Sequence, residues 1–152
     1  MGLFSFLARK VEKDLQRGHD YQMEVIRREA AQRNDAILFS TPTGVLVLSF
    51  NKTGGSIFTK KFINTIMYFA VSREVFYLFD ENEIIPIGLE NVISVNMNEG
   101  GHPSSFTIRM KNDSTDMEYK CALNDKAHNE EFVAKLKQAC ENFNGGSQIA
   151  PA

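Results

Sequence analysis

Residues 92–143 read VISVNMNEGGHPSSFTIRMKNDSTDMEYKCALNDKAHNEEFVAKLKQACENF, three runs of period two followed by one run of helical period. In the first, Ile93, Val95 and Met97 alternate with Ser94, Asn96 and Asn98; in the second, Phe106, Ile108 and Met110 alternate with Thr107, Arg109 and Lys111; in the third, Met117, Tyr119, Cys121 and Leu123 alternate with Glu118, Lys120 and Ala122. Alternation of this kind marks half-buried strands. The turns between them are rich in Gly, Pro, Asn, Asp and Ser, which predicts antiparallel neighbours. From Asp125 onward Phe132, Leu136, Ala139, Cys140 and Phe143 recur at steps of three and four, one stripe of an amphipathic helix. Asn124 or Asp125 supplies the N-cap, Glu130 and Glu131 suit the positive end of the dipole, and Gly145-Gly146 is the expected stop. Sheet first and one covering helix last predict an α+β, mainly β, fold: a barrel or bent sandwich of about seven antiparallel strands capped by that helix.

Upstream, the runs AILFS (36–40), GVLVLSF (44–50), FINTIMYFAV (62–71), EVFYLF (74–79) and EIIPI (83–87) are more continuously apolar. Val45-Leu46-Val47-Leu48 predicts a strand covered on both faces, or helix-covered on one and turned inward on the other. Pro86 cannot donate to a ladder, so its strand is an edge or carries a bulge, and Asp80-Glu81-Asn82-Glu83 reads as a hairpin tip. Phe62, Tyr68, Phe69, Phe76, Tyr77 and Phe79 alternate faces, so a second layer must cover the outward ones. The N-terminal helices or a second subunit can do this; the preferred reading is the second subunit, which makes a self-complementary surface.

The N-terminus, residues 1–33, is a helical extension ahead of a domain at 35–143, and 144–152 is small, polar and predicted to be a disordered tail. Phe4, Leu7, Val11 and Leu15 share one helix face, Gly18-His19 is expected to interrupt it, and a second helix is expected over about Tyr21 to Arg33. The apolar start is too short and wrongly ordered for a secretory signal and too short for a membrane span, and Phe6 stands where myristoylation needs Ser or Thr. Three roles fit: packing on its own domain, gripping a partner or a second copy through Phe4, Leu7 and Val11, or lying in a membrane interface. Residues 1–33 hold seven basic and five acidic side chains and the remainder ten and fourteen, a mild asymmetry that pulls weakly on anionic lipid.

A chain of 152 residues buries roughly two-thirds of its unfolded surface without covalent staples. Its two cysteines, Cys121 and Cys140, read as small buried hydrophobes in a reducing compartment, and neither has a metal-ligand neighbour at finger spacing. His19, His102 and His128 have no relay partner at a foreseeable spacing and read as surface histidines. Gly54-Gly55 and Gly100-Gly101 are hairpin turns outside any phosphate-loop frame, and the exposed acids at 80–83 are unsuited to general-acid work. A net charge of −2 with no basic stripe argues against nucleic acid. Lys52, Lys60 and Lys61 in NKTGGSIFTKK form a candidate anion-binding loop.

The segment VFYLFDENEIIPIGLENVISVNM, followed by FTIRMKNDSTDMEYKCAL, resembles the bacterial pleckstrin-homology-like (PH-like) domains. Ile84, Ile85, Pro86, Asn91, Val92, Ile93, Ser94 and Val95 carry the pattern, over about residues 35–143. The resemblance implies bent antiparallel sheets of four and three strands with the C-terminal helix across one corner. Because that fold hosts lipid, peptide and protein recognition alike, function rests on the site. The expectation is a cytoplasmic, non-catalytic interaction domain without cofactor or metal that recognises a protein partner or itself. Alternatives are membrane-surface binding through the N-terminal helix and the lysine loop, and carriage of an apolar ligand.

Overall fold

The computed structural model describes the backbone of residues 2–54, 57–61, 65–79, 83–100 and 104–148, and the side chains of 17–52, 65–79, 83–100 and 104–144. Helix α1 (Gly2–Gln32) leads into β1 (Phe39–Ser40), β2 (Val45–Gly54), β3 (Ile57–Lys61), β4 (Thr65–Val71), β5 (Val75–Phe79) and β6 (Ile84–Gly88). A 3-10 turn at Leu89–Asn91 passes to β7 (Val92–Met97), β8 (Phe106–Asn112) and β9 (Thr115–Ala122), and α2 (Lys126–Gln148) follows.

All strand pairs are antiparallel and the main order is β6-β5-β4-β2-β9-β8-β7. Two meanders, of four strands and of three, therefore meet along the β2–β9 ladder. Strand β2 reaches both because it is long and bent: Val45–Val47 pair with β4, while Leu46–Thr53 pair with β9. Between Val47 and Ser49 the register shifts, leaving Leu48 as an extra residue. Such a bulge bends the strand and reverses which residues face inward. Val45 and Val47 are buried, and beyond the bulge Phe50 packs inward on Tyr119. Leu46 and Leu48 remain half-exposed, so of the two expectations for this run, full cover on both faces is not met.

The curled sheet closes around Val47, Phe69, Phe76, Phe106, Ile108, Met110 and Cys121, and α2 seals it with Phe132, Val133 and Leu136. Burying each of these helix side chains contributes roughly 1.5–3 kcal/mol. Asp125 caps α2 as expected: its Oδ1 accepts from the His128 backbone N–H at 2.8 Å. Asn129, fully buried in the first turn, ties helix to sheet by accepting from the Leu123 N–H at 2.7 Å and donating to the Ser104 carbonyl at 3.2 Å. Pro86 lies on β6, an edge of the sheet paired antiparallel to β5, and residues 80–82 of the expected acidic hairpin tip lie outside the described residues.

Several expectations need correcting. Gly145-Gly146 does not end α2, which continues to Gln148; each glycine costs a helix about 1 kcal/mol, which is a tax on the turn and not a stop. The start of the predicted tail is therefore helical, and 149–152 lie outside the described residues. Gly18-His19 likewise leaves α1 unbroken, because His19 is buried there and its packing holds the turn. Within the apolar run 62–71, β4 covers Thr65–Val71, and 62–64, with Phe62, lie outside the described residues. Ile93 faces outward at 51% exposure, since a second bulge between Val92 and Ser94 turns it out of the inward row. Finally, the outward aromatic row is covered by α1 of the same chain, in place of the second subunit preferred from sequence. Met23, Ile26 and Ala30 pack on Ala70, Tyr77 and Phe79, with Tyr68 beside them.

Candidate functional site

The docking of α1 determines what the rest of that helix can do. Its C-terminus is held by a left-handed Asn34 (φ 57°), with the Asp35 N–H donating to the Ala30 carbonyl at 2.9 Å and the Asn34 N–H to the Ala31 carbonyl at 3.0 Å, a Schellman closure. The Asp35 carboxylate then accepts from the Tyr77 hydroxyl at 2.7 Å. Burial, reinforced by that carboxylate, pushes the phenol of Tyr77 well above its usual range. At the other end of the docked segment His19, 6% exposed, donates from Nε2 to the Thr41 carbonyl at 2.9 Å. Its Nδ1 is buried without a hydrogen-bond partner, 3.9 Å from Asp20 Oδ1. Burial holds the imidazole below its ordinary value, against the opposing pull of Thr41 and Asp20, and Arg27 lowers it a little further. His19 is thus a docking residue and not the surface histidine its sequence context predicted.

Because α1 is a single helix, the angular position of its N-terminal residues relative to the docked face follows from about 100° per residue. His19, Met23, Ile26 and Ala30 mark the docked stripe. Positions Phe4, Leu7, Val11 and Leu15 lie roughly a quarter-turn away from it. Their sector continues instead through Gly18, Gln22, Val25 and Glu29. Of these, Gln22, Val25 and Glu29 line a groove with Tyr21, Phe79, Glu83 and Ile84, between α1 and edge strand β6. The side chains of Phe4, Leu7 and Val11 lie outside the described residues.

The candidate anion loop is a β-hairpin. Lys52 is exposed on β2 opposite Thr59, Lys60 is opposite Asn51 and Lys61 opposite Phe50. On its other side β2 runs beside Glu118 and Asp116, and Asn51 Nδ2 donates to Glu118 Oε1 at 3.1 Å. Acid therefore flanks β2 on the side away from β3. The side chains of Lys60 and Lys61 lie outside the described residues.

Two further grooves border α2. One, of about 620 Å³, runs between the helix and β1 over Leu38, Phe39, Ala139 and Phe143, with Arg73 and Lys135 at its rim. The Lys135 ammonium stands 5.9 Å from the Phe39 ring centre and 2.9 Å from Glu131, whose carboxyl it holds below its usual range. The other, along edge strand β7, includes Ile93, Val95, Lys137 and Cys140. Nothing in the sequence periodicity marks either groove, because each is made by elements distant in the chain.

Cys121 and Cys140 are free thiols raised by burial, Cys140 additionally by Glu141. His128 donates from Nδ1 to Asn124 Oδ1 at 2.8 Å beside the α2 cap, and His102 lies outside the described residues. Among the described residues no three His, Cys, Asp or Glu side chains converge as a metal site, and no helix is long and apolar enough to cross a membrane. No family model and no curated protein matches the chain.

Proposed function

We propose that the chain is a non-catalytic interaction module of the cytoplasm, PH-like in kind, that recognises protein through α1, with a second copy of itself as the first partner. One observation carries this reading: α1 is a continuous helix of 31 residues whose docked stripe and N-terminal apolar stripe occupy different faces. A rigid helix of about 46 Å cannot twist its first half onto the sheet that holds its second half. Positions 4, 7 and 11 therefore lie on a sector of the helix other than the docked one. An apolar sector of this kind gains by burial in a protein groove.

The test is solution mass by light scattering of the full chain against Phe4→Ser/Leu7→Ser. The expected result is a wild-type mass above 17.2 kDa that falls to the monomer value in the variant. A wild-type protein that stays monomeric, or a variant whose mass is unchanged, refutes self-assembly. Sedimentation with anionic vesicles at low salt supplies the competing outcome: pelleting that depends on Phe4 and Leu7 assigns the helix, with Lys52, Lys60 and Lys61, to a membrane surface instead.

A further inference from the structure

Among the described residues the groove beside β6 stands open. Tyr21, 68% exposed, stands at its mouth with the half-buried Val25, and Phe79 and Ile84 form the opposite wall. Gln22 Oε1 is buried there without a hydrogen-bond partner. The lining mixes Val25, Phe79 and Ile84 with Gln22, Glu29 and Glu83, which suits a helix that is apolar on one face and net basic. The N-terminal half of α1, with Phe4, Leu7, Val11 and Leu15 among four basic and two acidic residues, is such a helix, and an unbroken helix cannot fold back on itself. The occupant must come from another molecule.

We propose that it is α1 of a second copy, running antiparallel, with the two-fold axis passing near Gln16 and Arg17. This rests on the self-assembly reading above and specifies its geometry. Phe4, Leu7, Val11 and Leu15 share one sector with Gly18, Gln22, Val25 and Glu29, so a half-turn about the midpoint lays the first set on the second. Val11 of one copy comes level with Gln22 of the other, Leu15 with Gly18 and Phe4 with Glu29, while Leu7 falls within one residue of Val25.

Two observations favour this direction. Residues 1–17 of the helix carry four basic and two acidic side chains, whereas 18–32 carry two basic and three acidic. Antiparallel pairing sets the basic half against the acidic half, while parallel pairing stacks like on like. Gly18 is the second. A Cβ built there meets only the Tyr68 hydroxyl, at 4.0 Å, so the chain's own fold does not require glycine at this position. A partner helix crossing opposite Leu15 does, because a missing side chain lets two helices approach closely.

Cysteine cross-linking in full-length protein tests the register, in a Cys140→Ala background that leaves only the buried Cys121 native thiol. Val11→Cys/Gln22→Cys is expected to yield a covalent dimer under mild oxidation, and Leu7→Cys/Val25→Cys likewise. Val11→Cys or Gln22→Cys alone is expected to stay uncross-linked, because each lies about 16 Å from its own symmetry mate along the axis. Cross-linking of a single variant to itself overturns the antiparallel arrangement. If light scattering shows the oligomer while both folded double variants fail to cross-link, the register is wrong and self-assembly stands; a monomeric wild type overturns both.

Discussion

Phe132 is the side chain through which α2 closes the sheet, so its truncation measures how much the cap contributes. Its ring lies 5.8 Å from Phe106, 6.0 Å from Phe69, 6.2 Å from Phe39 and 6.4 Å from Phe76, centre to centre. The four neighbours belong to β8, β4, β1 and β5, elements of both meanders. Four rings anchored in ladders cannot collapse into the space left by one, so Phe132→Ala leaves a cavity. The expected cost is about 3–5 kcal/mol, near the upper end for such truncations, with aromatic contacts contributing on top of area. Against a domain stability of roughly 5–15 kcal/mol this lowers the urea midpoint steeply with little change in slope. The thermal midpoint falls by on the order of 10 °C for a chain of this size. Since the chain lacks tryptophan, far-ultraviolet circular dichroism and tyrosine fluorescence report the transition. A loss below about 1 kcal/mol would show that α2 is not the element that closes the core.

His19 makes docking of α1 sensitive to acid. Its folded-state pKa is below the ordinary 6.5, so the unfolded chain binds the proton more readily and stability rises with pH across this window. The contribution is complete above about pH 6.5 and is lost as pH falls through the folded value. The urea midpoint is expected to drop between pH 7.5 and 5, with a smaller drop in His19→Gln; equal drops in the two proteins would remove His19 as the cause. At Ile93 the expected effect is absence of effect. Ile93→Thr should change stability by no more than about 0.5 kcal/mol, as for other exposed positions, whereas a loss above about 1 kcal/mol in denaturant titration would mean that the bulge does not turn this side chain to water.

The back half of the chain was legible because period-two alternation and the Phe132–Leu136 stripe are local properties. Phe106, Ile108, Met110, Tyr119 and Cys121 are buried where alternation placed them, and Asp125 caps the helix it precedes. Ile93 was misread because a bulge is one residue long and leaves no periodic mark. Gly18 and Gly145 were misread as breaks because propensity weighs a glycine by itself, whereas His19 packing on Thr41 holds the turn at one of them. Of the candidate site, Phe4, Leu7 and Val11 were recognisable as an apolar face. The groove beside β6 was not, since Val25 and Ile84 are remote in sequence and meet only after β6 folds against α1.

Sequence alone determined that the protein is a curled antiparallel sheet closed by its last helix, since hydrophobic spacing dictates which face each element must bury. Tertiary structure decided that α1 is one rigid rod, that its second half covers the outer aromatic row, and that its first half is turned a quarter of the way round from that contact. The physical reason is that an element's period is written in its own residues. What it packs against depends on distant residues, and on single-residue bulges that redirect a whole strand.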